Sequence, residues 1–146
     1  MKIKILILVF CVLVTSCRPI ENRLDGTQFS ASTNDLLVKM KNEDIIWYDT
    51  FVGLIPELTG ATLSLVEAPE DITQYLIEAL RDENKFVAAH VLLTYRTPEE
   101  KVFCKGEDPV EEWCGLKVQI YADGRTTFDG NNLRKLQAFW RKTLGR

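Results

Sequence analysis

The sequence predicts an α+β domain: two helical hairpins, then a disulfide-linked antiparallel β-hairpin, then a C-terminal helix. Three observations predict it. Between Asn34 and Thr97 apolar residues recur at three- and four-residue intervals, as one face of a helix requires. Leu116, Val118 and Ile120 alternate with Lys117, Gln119 and Tyr121, the two-residue period of a half-buried strand, and Asp123-Gly124 follows as a tight-turn signal. Leu133, Leu136, Trp140 and Leu144 make a last apolar stripe, with Arg134, Lys135, Arg141 and Lys142 on the other faces.

The chain opens with Lys2 and Lys4, then an unbroken apolar run from Ile5 to Val14, small Thr15 and Ser16, and Cys17. That run is about half the length needed to span a bilayer but suits the apolar core of a secretory signal. Charged start, short apolar core, Val14, a small pair and cysteine together resemble the lipobox of bacterial lipoproteins. The resemblance implies a diacylglycerol on the Cys17 thiol, cleavage before it and acylation of the new amine. Residues 1–16 are then a removed signal peptide, 17–31 a lipidated tether, and 32–146 a single globular domain. The membrane is a partner through the lipid on Cys17, and two or more acyl chains make that attachment stable. Arg18 stands where lipoproteins kept at the inner membrane carry aspartate, so resemblance to Gram-negative sorting implies the periplasmic face of the outer membrane. An ordinary secreted protein with a chance cysteine is the alternative.

Arg18 to Ala31 is polar, contains Gly26 and has no period, as a tether does. Ser32-Thr33-Asn34-Asp35 is a helix-capping signal ahead of Leu36, Leu37 and Met40. After Asn42-Glu43-Asp44 a second helix is expected near Ile45, since Trp47, Phe51, Leu54 and Leu58 step by four, three and four. Pro56 should kink that helix or stop it near Leu54, and Thr59-Gly60-Ala61 should close it. Thr62 to Glu67 is a short apolar segment of either type. Pro69, Asp71 and Gln74 open a third helix with Ile72, Leu76 and Leu80 inward. Phe86 to Leu93 is apolar almost all round, as in a helix buried between neighbours, and Pro98 ends it.

A shift of 40 residues lays Leu36-Leu37 on Leu76-Ile77, Met40 on Leu80, Asn42-Glu43-Asp44 on Asp82-Glu83-Asn84, and Ile46 on Phe86. Paired helices at this period resemble HEAT-type repeats over residues 34–97. The resemblance implies a protein-binding surface and no chemistry of its own. Two copies fall short of the three or so that stack a solenoid core, so the C-terminal third is expected to cap the pair. There Arg125-Thr126-Thr127-Phe128 returns from the turn as the partner strand, Val102-Phe103 is a candidate third strand, and Asp129-Gly130-Asn131-Asn132 makes a turn and helix cap.

The protein has four cysteines. With Cys11 in the signal and Cys17 lipidated, Cys104 and Cys114 remain, an even pair in an exported chain, and read as a disulfide. Closing so short a loop stabilises by roughly 2.5–3 kcal/mol, less any strain. The alternative, a zinc pair, lacks a second ligand pair, and the spacing is too wide for a CxxC redox motif.

Composition and motifs narrow the function classes. Lys2 and Lys4 leave with the signal, so 18 basic side chains become 16 against 21 acidic, a net charge near −5. That balance does not favour nucleic acid as a partner. His90, the single histidine, sits in an apolar helix and reads as a core histidine. GxSxG, HExxH and P-loop patterns are absent from the sequence, so the chain reads as a non-enzyme with no cofactor and no metal. Glu99, Glu100, Glu107, Asp108, Glu111 and Glu112 form an acidic run without EF-hand spacing, read as a solvated loop in preference to a calcium site. Glu107, Asp108, Glu111, Glu112 and Trp113 are the candidate partner-binding residues, with Trp113 either an exposed anchor or packed on the disulfide. The expected function is a protein-binding or scaffolding envelope lipoprotein with an envelope protein partner. The alternatives are an inhibitor or immunity lipoprotein, and a carboxylate-dependent envelope hydrolase.

Overall fold

The computed structural model describes residues 29–98 and 112–145. Among these residues five α-helices and two small antiparallel sheets make an α+β fold.

Helix α1 (Ala31–Lys39) is capped by Ser30, whose Oγ accepts from the Thr33 N–H. The cap falls two residues before the expected Ser32, so Ala31 belongs to the domain, and Phe29 packs against the core. The Glu70 carboxylate accepts from Ser30 Oγ at 2.6 Å and from Thr33 Oγ1 at 3.0 Å, which fastens the start of the fold to the loop before α3.

The helix expected from Ile45 is not formed. Residues 45–58 are strands β1 (Ile45–Thr50) and β2 (Gly53–Leu58), paired antiparallel from Ile45↔Leu58 to Thr50↔Gly53. The local chemistry accounts for it. Ile45 and Ile46 are β-branched and Trp47 and Tyr48 aromatic, all better suited to a pleated surface than to a helix. Ile45 and Trp47 are buried while Ile46 and Tyr48 are exposed, a period of two. Gly53 takes φ +116°, a conformation closed to most side chains, and so sets the turn. Pro56 fits because it lies opposite Trp47, one pair off the Tyr48↔Ile55 pair. The Pro56 carbonyl faces away from β1, accepting from Tyr95 Oη at 3.2 Å. In an antiparallel strand a residue's N–H and C=O point to the same side, so the missing Pro56 N–H costs the ladder no bond. The first of the two expected helical hairpins is therefore a helix followed by a β-hairpin.

Helix α2 (Gly60–Val66) occupies the apolar segment of undecided type. Asp44, in a 3-10 turn (Asn42–Asp44), receives its start: the Asp44 carbonyl accepts from the Thr59 N–H and Thr59 Oγ1. Helices α3 (Thr73–Ala79) and α4 (Phe86–Arg96) form the second helical pair. Ile72, Leu76 and Leu80 are buried as their spacing requires, and Asp71 accepts from the Thr73 N–H. All eight residues from Phe86 to Leu93 are buried, so α4 is the central element. Its first turn is capped from a distance: the Asn42 carboxamide accepts from the Val87 N–H at 2.9 Å and donates to the Glu83 carbonyl at 2.7 Å. At its other end Arg96 donates to the carbonyls of Leu65, Val66, Ala68 and Glu70, the frayed end of α2 and the loop beyond it.

The second sheet has the order β3-β4-β5: β3 (Glu112–Trp113), β4 (Leu116–Ile120) and β5 (Thr126–Phe128). Leu116 and Val118 are buried and Lys117 and Gln119 exposed, the alternation the sequence predicts. The third strand is β3; Val102 and Phe103 lie outside the described residues. β3 joins β4 through Cys114 and Gly115, both at positive φ, as a mirror-image two-residue turn requires. Cys104 lies outside the described residues, and with it the expected Cys104–Cys114 pairing. Helix α5 (Asn132–Leu144) buries Leu136 and Trp140, half-buries Leu133 and Leu144, and ends on left-handed Gly145.

Candidate functional site

Among the described residues the two sheets are not paired with each other, and a cleft of about 620 Å³ lies between the β1–β2 hairpin and strands β4 and β5. Asp49 and Leu54 line it from the β1–β2 hairpin; Lys117, Val118, Gln119 and Ile120 line it from β4; Thr127, Phe128 and Asp129 complete it from β5 and its end. Leu54 and Val118 are buried and Phe128 half-buried, forming an apolar floor, while Asp49, Lys117 and Asp129 are exposed. Most of the exposed lining is polar, so a cleft of this size suits the polar side chains of a protein partner, with the apolar floor beneath them.

Behind the floor is an aromatic cluster. Phe128 meets Trp47 at 6.3 Å and Phe86 at 5.9 Å between ring centroids. Trp113 meets Trp47 edge-on at 5.7 Å and His90 at 5.5 Å. Such contacts add about 0.5–1.5 kcal/mol each beyond the area they bury. Trp113 is thus half-buried and packed, placed against the core by β3.

His90 closes the cluster. Its Nδ1 accepts from Trp140 Nε1 at 2.8 Å, which leaves the proton of the neutral ring on Nε2. Complete burial pushes its pKa down to about 4; the backbones of Trp113 and Cys114 oppose the shift, though Nε2 makes no hydrogen bond of full geometry. A neutral, enclosed imidazole is a packing group, in keeping with its reading as a core histidine.

Of the residues singled out in the sequence, the structure places Glu112, Trp113 and Cys114 together at the β3–β4 turn. Glu112 is half-buried and faces Lys117 across the register. Cys17, Cys104, Glu107, Asp108 and Glu111 lie outside the described residues. The cleft itself is absent from the sequence reading. Its one advance signal is the alternation from Ile45 to Tyr48, which places Asp49 on the same face as Trp47. Among the described residues no group of three or more His, Cys, Asp or Glu is arranged to hold a metal ion. No described helix is long and apolar enough to cross a membrane.

No family model matches the chain, and no curated protein or solved structure is similar to it.

Proposed function

We propose that the protein is a lipid-anchored envelope protein whose domain binds a protein partner at the cleft between its two sheets. The anchor rests on the N-terminal pattern ending at Cys17. The binding reading rests on one observation, the cleft between the sheets, mostly polar at its exposed lining, with Asp49, Lys117 and Asp129 over buried Leu54 and Val118 and half-buried Phe128. A mouth carrying both signs of charge suits a partner surface of mixed charge, and the aromatic cluster behind it keeps the floor rigid, which lowers the ordering cost of binding. Trp113, already engaged with Trp47 and His90, supports the floor instead of reaching for the partner. Glu112 stays a candidate contact at the edge, as do Glu107, Asp108 and Glu111. A Cys104–Cys114 disulfide belongs to the same proposal, tying that acidic segment to the β3–β4 turn. The HEAT-like likeness now concerns α3 and α4 alone.

Two experiments test this. Mass spectrometry of the N-terminal peptide from the membrane fraction should find triacylated Cys17; an unmodified cysteine, or a Cys17→Ala protein that matures and fractionates unchanged, removes the anchor. Cross-linking in envelope extract should capture a partner with the wild type and lose it with Lys117→Gln, which adds no like charge opposite Glu112 and is checked for folding by circular dichroism. Undiminished capture by folded Lys117→Gln removes the cleft.

A further inference from the structure

The β1–β2 hairpin has one face in the core and the other bare. Ile46, Tyr48 and Ile55 on the outer face are 44%, 48% and 46% exposed, and Phe51 and Val52 at the tip are 113% and 82% exposed. Single exposed apolar residues are ordinary. Here the five are neighbours: Tyr48 lies directly across from Ile55, Ile46 lies two residues along the same face, and the tip follows two residues beyond Asp49. Two-residue turns usually carry Asn, Asp or Gly. In this one the polar work is done from below, where Thr50 Oγ1 donates to the Gly53 carbonyl at 2.6 Å and accepts from the Val52 N–H. Turn closure therefore makes no demand for Phe51 or Val52.

We infer that this hairpin is a membrane-contact element, its Phe51–Val52 tip entering the interface of the bilayer that holds the Cys17 lipid. The inference rests on the anchor proposed above, which limits how far the domain stands from that bilayer. Twelve residue steps separate Cys17 from Phe29, a reach of at most about 40 Å even when fully extended. The hairpin, with six residues per strand, is itself about 20 Å long. A tether so short keeps the domain continuously at the lipid surface, where a bare aromatic and aliphatic tip loses water by entering the interface. Tyr48, halfway down the outer face with its hydroxyl donating to Glu57 at 2.6 Å, has the amphipathic character of a side chain at headgroup depth. The charged side chains carried by the two strands, Asp49 and Glu57, are acidic, so the fitting surface is a zwitterionic one. Since the acyl chains already hold the protein, the tip fixes orientation: Asp49 and Leu54 belong to both hairpin and cleft, and an inserted tip holds the cleft mouth close above the headgroups.

The test uses the product of the full gene purified from membranes, with the state of Cys17 read by mass spectrometry, in phosphatidylcholine–phosphatidylethanolamine vesicles with brominated acyl chains, whose bromines quench tryptophan. Phe51→Trp should add emission quenched at least twofold more than that of Leu63→Trp, an exposed site on α2, both measured above the wild-type background. Phe51→Ser/Val52→Ser should keep the wild-type circular dichroism and lose the domain's fixed orientation in fluorescence anisotropy on supported bilayers. Quenching no greater for Phe51→Trp than for Leu63→Trp, with Cys17 acylated, overturns the inference and leaves the anchor standing. Unmodified Cys17 with Phe51→Trp still quenched overturns the anchor and keeps the tip. A dimer in detergent that Phe51→Ser/Val52→Ser dissolves, with no quenching, overturns the membrane in favour of a second copy of the chain.

Discussion

His90 spends the neutral range uncharged because its ring is sealed beneath Trp113 and Trp140. The unfolded chain takes a proton near pH 6.5 and the folded one near 4. Between those values the unfolded state binds more protons, so stability is full above about 6.5 and falls as pH drops towards 4, by about 3 kcal/mol in total. Urea unfolding at pH 7.5 and 4.5 should show that loss in the wild type, and His90→Gln should flatten it. Glu70, lowered by its bond from Ser30, and Asp123, lowered by Arg125, keep their contributions above the ordinary carboxylate range and lose them as pH falls through and below it. Arg96 is the other residue on which much depends. Lysine cannot reproduce a planar fork reaching four carbonyls, so Arg96→Lys should lower stability by about 2 kcal/mol, read as a drop in Tm. Neither role is visible in the residue alone. A histidine in an apolar run announces its burial, but its tryptophan partner lies 50 positions away.

At the scale of elements, the helices α3, α4 and α5 and the strand β4 are legible because their periods run over several turns or pleats without competition. The hairpin is not, and the reason is specific. Trp47 and Leu54 both face the core, seven residues apart, a separation that two helical turns and a hairpin with a two-residue loop satisfy alike. Phe51 distinguishes them: a helix buries it, and the hairpin leaves it wholly exposed. Phe51→Ala should therefore change stability by less than about 0.5 kcal/mol, whereas Trp47→Ala should cost about 3–5 kcal/mol. Chemical denaturation of the two variants reads the contrast directly. Gly60 is a further test of local packing. At φ +52°, with Asp44 Oδ1 3.0 Å from where a Cβ would sit, Gly60→Ala should cost about 1–2 kcal/mol.

For the molecule as a whole, the α+β class and the closing role of α5 follow from pattern, while the cleft does not. It arises because two sheets that never pair are set against the same central helix, a tertiary fact with no local signature. Of the candidate contacts, an acidic run beside a tryptophan, Glu112 and Trp113 fall among the described residues. Helix α4 has a consequence in time as well as in space. Buried from Phe86 to Leu93 and tied at its ends by Asn42 and Arg96, it keeps that stretch of backbone from water short of a large opening. Its amides should exchange for deuterium last of all, at the rate set by opening of the entire chain. The hairpin amides around Phe51 should exchange within seconds to minutes, so one molecule would carry its fastest and slowest clocks in adjoining elements.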